Sequence, residues 1–147
     1  MMGPAAMDDI RVLDISHGIA GPFCAKILGD FGADVIKVEP PGGESGRTMG
    51  PFFHDDPNPE KSLFFLLLNL NKRGTTLNLE TSTGAKIFKE LVLEADVVVE
   101  TFPPGYLDSL GLGYEDLEKI NPKIVMTSIT GFGQTGPYSH FKSEEIV

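Results

Sequence analysis

The 147-residue sequence contains one cysteine, Cys24, so no disulfide can form within the chain. A disulfide-stapled secreted scaffold is thereby excluded, and a cytoplasmic location is the expectation. Cys24 lies in an apolar helical stretch and reads as core filler rather than as a nucleophile. Basic residues are scarce: 12 Lys and Arg stand against 21 Asp and Glu, a net charge of −9. This excludes nucleic acid as a general partner, because a basic surface supplies most of that affinity. It leaves room for an anionic small ligand held by a local cluster of donors. No apolar run approaches the roughly 20 residues that span a bilayer. The longest, Leu63 to Leu68, ends at Asn69, and Met1 to Asp9 has neither a basic n-region nor a signal-peptide core. Internal repeats and low-complexity tracts are missing too. The three histidines, His17, His54 and His140, are scattered, with no metal-site spacing. The expectation is a soluble protein with no membrane, nucleic-acid or metal partner.

The hydrophobic content of 41% and charged content of 22% are ordinary for a globular protein, and the length suits one domain. Apolar strand-like runs alternate with helical patterns. Residues 10–15 (IRVLDI), 34–38 (DVIKV), 75–79 (TTLNL), 96–100 (DVVVE) and 123–130 (KIVMTSIT) read as strands. Residues 21–31, 81–95 and 114–120 read as helices, the first with Pro22 near its first turn and Gly32 at its end. Residues 62–70 are ambiguous between strand and helix. Residues 39–60 form a Gly- and Pro-rich loop long enough to signal function or mobility. The alternation predicts an α/β fold with a mostly parallel sheet and flanking helices. In such folds ligands collect at the carboxyl ends of strands. Those ends are the loops 16–21, 39–43, 100–105 and 130–136.

Three of these loops, and two stretches outside them, carry candidates. The turn Ser16-His17-Gly18-Ile19-Ala20-Gly21 is G-x-x-G, not the dinucleotide fingerprint, and reads either as an anion cradle or as a tight turn. His17 is either a structural hydrogen-bonding residue or a catalyst. Asn71-Lys72-Arg73 holds the only adjacent basic pair, suited to a phosphate or simply solvated. Phe102, after the strand DVVVE, either stacks on a planar ring or covers the end of the sheet. Gly131, Gly133 and Gly136 suggest strained turns or close approach to a ligand. Lys142 beyond them is a phosphate contact or a lone exposed lysine, and Glu144-Glu145 reads as a solvated pair.

Taken together, these motifs resemble the family III CoA-transferases, the CaiB/BaiF group. The stretches that carry the resemblance are LDISHGIAGPFCAKILGDFGADVIKVEPPGG (13–43), NLNKRGTTLNLETSTGAKIFKELVLEADVVVETFPPG (69–105) and LGLGYEDLEKINPKIVMTSITGFGQTGPY (110–138). They occur in order and cover nearly the whole chain after residue 9. The resemblance implies a Rossmann-like large domain plus a small domain, in an interlocked homodimer. It implies an enzyme that moves CoA from an acyl-CoA to a carboxylate acceptor through an aspartyl-CoA thioester. Residues 1–147 are then the N-terminal part of the large domain, incomplete, with a flexible segment 1–9 and without the small domain. The catalytic aspartate is expected beyond Val147, so none of the catalytic residues is expected here, and Asp14 reads as structural.

The resemblance assigns Asn71, Lys72, Arg73 and Leu77 to the surroundings of the CoA nucleotide. It makes Phe102 a CoA-contacting aromatic, Lys142 a basic residue near the CoA phosphates, and Ile19 and Ala20 neighbours of the catalytic centre. Three positions depart from the family pattern in this region. Ile19 stands where formyl-CoA transferases carry glutamine, which disfavours formyl-CoA and oxalate. Ser109 and Pro40 stand where many and some members, respectively, carry arginine, and Arg47 is a candidate to compensate. Two other readings remain: an α-methylacyl-CoA racemase relative, disfavoured because Ser143-Glu144-Glu145 replaces Gly-His-Asp, and a non-catalytic truncated α/β binding module.

Overall fold

A computed structural model describes residues 5–143. Five strands form one sheet: β1 (Arg11–Asp14), β2 (Asp34–Glu39), β3 (Lys72–Thr76), β4 (Val97–Glu100) and β5 (Val125–Ser128). Their order is β3-β2-β1-β4-β5, and every pairing is parallel. The helices are α1 (Ala20–Asp30), α2 (Leu63–Leu68), α3 (Ser82–Val92), α4 (Tyr106–Ser109) and α5 (Tyr114–Ile120). Among the described residues no helix is long and apolar enough to cross a membrane.

The two faces of the sheet follow from side-chain alternation. Leu13 and Val98 face α3 and α5, where Phe88, Val92 and Leu117 are fully buried with them. Val12, Val35 and Val99 face the opposite way and pack with Ala25 of α1. Central strands covered on both faces explain the apolar middle of β1 (Val12, Leu13) and the apolar run of β4 (Val97, Val98, Val99), with charged residues at the strand ends. Helix α3 starts at Thr81, whose hydroxyl accepts from the Gly84 N–H at 3.0 Å, as expected of an N-cap.

The structure resolves the ambiguous stretch 62–70 as helix α2, capped by Ser62, whose hydroxyl accepts the Phe65 N–H. Strand β3 begins three residues before the TTLNL pattern, because Lys72 and Arg73 already pair with β2. Alternation locates strands through side chains, whereas the ladder is set by backbone pairing. The long loop 39–60 is folded on itself through short 3₁₀ turns. Arg47 makes two bonds to Glu39, at 2.6 and 2.8 Å, one to Glu60 at 3.0 Å, and lies 3.9 Å over the Phe65 ring. Residues 5–9 turn against the end of α1, where the Met7 N–H donates to the Phe31 carbonyl. Residues 1–4 of the expected loose segment, and Glu144-Glu145, lie outside the described residues.

Candidate functional site

Strand order reverses about β1, since β2 leaves it on one side and β4 on the other. Ligands of open α/β sheets bind at the carboxyl ends of strands flanking such a switch. Two adjoining cavities open there. The larger, 700 Å³, is lined by His17, Ile19 and Ala20 after β1, Phe102 after β4, and Lys142 beyond β5. The smaller, 270 Å³, lies between the β1, β2, β3 and β4 ends and is lined by His17, Pro40, Leu77, Phe102 and Tyr106. His17 and Phe102 belong to both and form the wall between them.

That wall is fixed from several sides. The His17 N–H donates to Thr101 Oγ1 at 2.8 Å, and the imidazole meets the Phe102 ring edge-on at 5.1 Å between centroids. Phe102 stacks on Tyr106 at 5.0 Å with 20° between planes. Its N–H donates at 2.6 Å to Glu100, a buried carboxylate that also accepts from Gln134 at 3.3 Å. Burial pushes the Glu100 carboxyl up, although hydrogen bonds from Ser128 and the Phe102 N–H oppose it. Helix α1 approaches closely at Gly21: a Cβ there would overlap Ser16 and sit 2.7 Å from Thr101 Cγ2.

Beneath the turn after β1 lies a buried ionic cluster. Asp14 sits opposite Lys37 in the ladder, and Lys72 sits opposite Val35, two residues before Lys37, so all three point to the α1 face. Lys72 Nζ donates at 2.8 Å to Asp14 Oδ2, to the Pro22 carbonyl and to Asn69 Oδ1. Lys37 Nζ lies 3.4 Å from Asp14 Oδ1 and donates to the Ser16 carbonyl, while the Ser16 hydroxyl donates to Asp14. Burial pushes the Asp14 carboxyl up, but the two ammoniums and the Lys72 and Ser16 hydrogen bonds outweigh it and hold it below the usual range. Burial holds Lys72 below the ordinary lysine value, since it shares its one carboxylate with Lys37. Asp14 is thus buried and held by the fold's own cations.

Of the eight residues expected at a ligand, Ile19, Ala20, Phe102 and Lys142 line the larger cavity, and Leu77 joins Phe102 in the smaller. Asn71, Lys72 and Arg73 line neither. They are not an open turn: Lys72 and Arg73 start β3, and all three side chains are committed to the fold's own carboxylates. Asn71 Nδ2 donates to Asp30 at 2.8 Å, and Arg73 bonds Asp34 at 2.9 and 2.6 Å. Arg47 is likewise engaged by Glu39. Sequence reasoning missed Lys37, Glu44, Thr101 and Tyr106. A lysine among the valines and isoleucine of the strand DVIKV was the available signal, since a buried ammonium needs a partner. Cys24 packs beside Val35 and Val99 as core filler, partly exposed.

Fold and site define a Rossmann-like α/β protein with a two-chambered cleft at its topological switch point. The chain belongs to CoA-transferase family III, whose family model matches residues 7–146. Succinyl-CoA:glutarate CoA-transferase of Mus musculus is 47% identical over 135 residues, covering 91% of this chain and 30% of that protein. The succinyl-CoA–L-malate CoA-transferase beta subunit of Chloroflexus aurantiacus is 50% identical over 131 residues, covering 88% of this chain and 31% of that protein. The crystal structure of a CaiB/BaiF family protein from Brucella suis superposes with a TM-score of 0.89 at 39% identity, over 98% of this chain and 38% of that one. The chain therefore spans about a third of the length of the relatives it matches.

Proposed function

We propose that this chain supplies the acyl-CoA grip of a CoA-transferase that moves CoA from an acyl-CoA thioester to a carboxylic acid through an aspartyl-CoA intermediate. The observation that carries the reading is the pair of adjoining cavities divided by His17 and Phe102 at the switch point, in a chain of this family. The smaller chamber, walled by Leu77, the two prolines after β2 and the stacked Phe102–Tyr106 pair, suits the flat apolar face of adenine. The larger suits the pantetheine arm and thioester beside Ile19 and Ala20, with Lys142 near the phosphates. Asn71, Lys72 and Arg73 serve indirectly, by fixing the start of the strand that delivers Leu77. Among the described residues no aspartate lines either cavity, which fits a nucleophile supplied by another part of the full enzyme. The names of the relatives favour transfer over racemisation.

In this reading residues 1–147 are the N-terminal part of the large domain, the full enzyme is an interlocked homodimer, and the lone free thiol suits the cytoplasm. Titration calorimetry with CoA tests it. The chain should bind, and Phe102→Ala should weaken binding about tenfold through lost stacking. Absence of CoA binding by a folded chain, or affinity indifferent to Phe102, would sink the reading.

A further inference from the structure

The segment after β2 turns back beneath the candidate site. Gly42 and Gly43 have φ of +95° and +86°, a left-handed pair that glycine adopts without strain. The reversal delivers Glu44 to a position only 3% exposed, under the turn that follows β1. Glu44 Oε2 accepts the Gly18 N–H at 3.2 Å and lies 3.9 Å from His17 Nδ1. The Glu44 backbone is itself held: its N–H donates to Glu39 Oε2 at 3.2 Å, and Arg47 grips the same carboxylate. Gly46 packs so closely that a Cβ there would come 2.5 Å from Glu44 Oε1. On the other side Lys37 holds the Ser16 carbonyl. The turn Ser16-His17-Gly18 is therefore gripped at its first carbonyl and its last N–H by two buried charged side chains, neither of which lines either cavity.

We propose that Glu44 is a positioning residue for the acyl-CoA site, holding the turn so that His17 stands in the wall between the two chambers and Ile19 and Ala20 face the larger one. The proposal rests on the acyl-CoA reading above. It gives the EPPGGE segment, residues 39–44, a definite role, in which two glycines let the chain reverse and two glutamates lock the reversal under the ligand's contacts. It also assigns the Gly18 N–H to an internal carboxylate, so this amide is not an anion donor.

Four charged groups act on His17. Burial and the Lys37 ammonium lower its pKa, while Glu44, Asp14 and Glu39 oppose them. Loss of the Glu44 charge should therefore move the His17 titration further down. The test compares the chain with Glu44→Ala and Glu44→Gln, reading CoA affinity by calorimetry and the His17 midpoint by NMR. Glutamine keeps an acceptor for the Gly18 N–H but not the charge. Expected are a loss of about tenfold in affinity for E44A, affinity within about twofold of the parent for E44Q, and a lower His17 midpoint in both. Equal affinity in all three proteins overturns the proposal, as does equal weakening in both variants. Should E44A fail to fold, an unmoved His17 midpoint in E44Q overturns it. A parent chain that binds no CoA overturns the acyl-CoA reading itself, and the ligand half of this proposal with it.

Discussion

Asp14 carries an unusual burden for one side chain. It is fully buried, and it is the carboxylate on which both Lys37 and Lys72 converge. Removing one member of a buried ionic group leaves the others unpaired in a medium that solvates them poorly. Asp14→Asn strands two ammoniums and should cost about 3 kcal/mol of unfolding free energy or more, read by urea denaturation. Lys72→Met leaves Asp14 with Lys37 and should cost less. Acid provides a second readout. Because Asp14 titrates lower in the folded chain than unfolded, its contribution is complete above the unfolded value of about 3.9 and disappears as pH falls through the folded one. Glu100 acts in the opposite sense. Its raised pKa means that its burial is easiest when protonated, so stability falls as pH rises from the ordinary carboxylate range through its folded value. An acid transition that is unchanged in Asp14→Asn would tell against this assignment.

Among the elements, α1 decides the shape of the cleft. It lies against β1, β2 and β4, and its first turn reaches the ends of β1 and β4 because Gly21 has no side chain. A methyl group at that point meets Ser16 and Thr101, neither of which is a flexible chain end. Gly21→Ala should push the helix outward, cost about 1–3 kcal/mol of stability, and weaken CoA binding more than a distant mutation of equal cost. Parallel thermal melts and calorimetry would check this, and unchanged affinity in a destabilised variant would exclude the coupling. Most of these elements were legible from pattern. Helix α5 matches its predicted bounds, and β1, β2, β4 and β5 fall within two residues of theirs. Helix α4 was missed: four residues after Gly105 carry too little periodicity. The direction of the Lys72 side chain was hidden as well. A basic pair beside a glycine looks solvated in sequence, and only the pairing of β3 with β2 aims Lys72 along the sheet toward Asp14.

Over the whole molecule, the two faces of apolar surface are unequally covered. Helices α1 and α2 lie side by side and leave Phe23, Phe31, Leu66 and Leu67 more than half exposed. Among the described residues, strand β5 ends the sheet with one free edge and an exposed Val125. Exposed apolar surface and an open strand edge each favour association. Sedimentation velocity should show this chain self-associating with concentration, and Leu66→Lys together with Leu67→Lys should reduce it. A chain that stays monomeric throughout would contradict the expectation. The succession of the five strands, the parallel class of the sheet and the placing of a candidate cleft at strand ends were determined by sequence alone, because hydrophobic period and turn chemistry are local properties. The tertiary structure alone decided which charged residues line the candidate cleft and which meet each other. A lysine or glutamate has the same local signature in either role, and only the partner brought to it from 23, 26 or 58 positions away separates them.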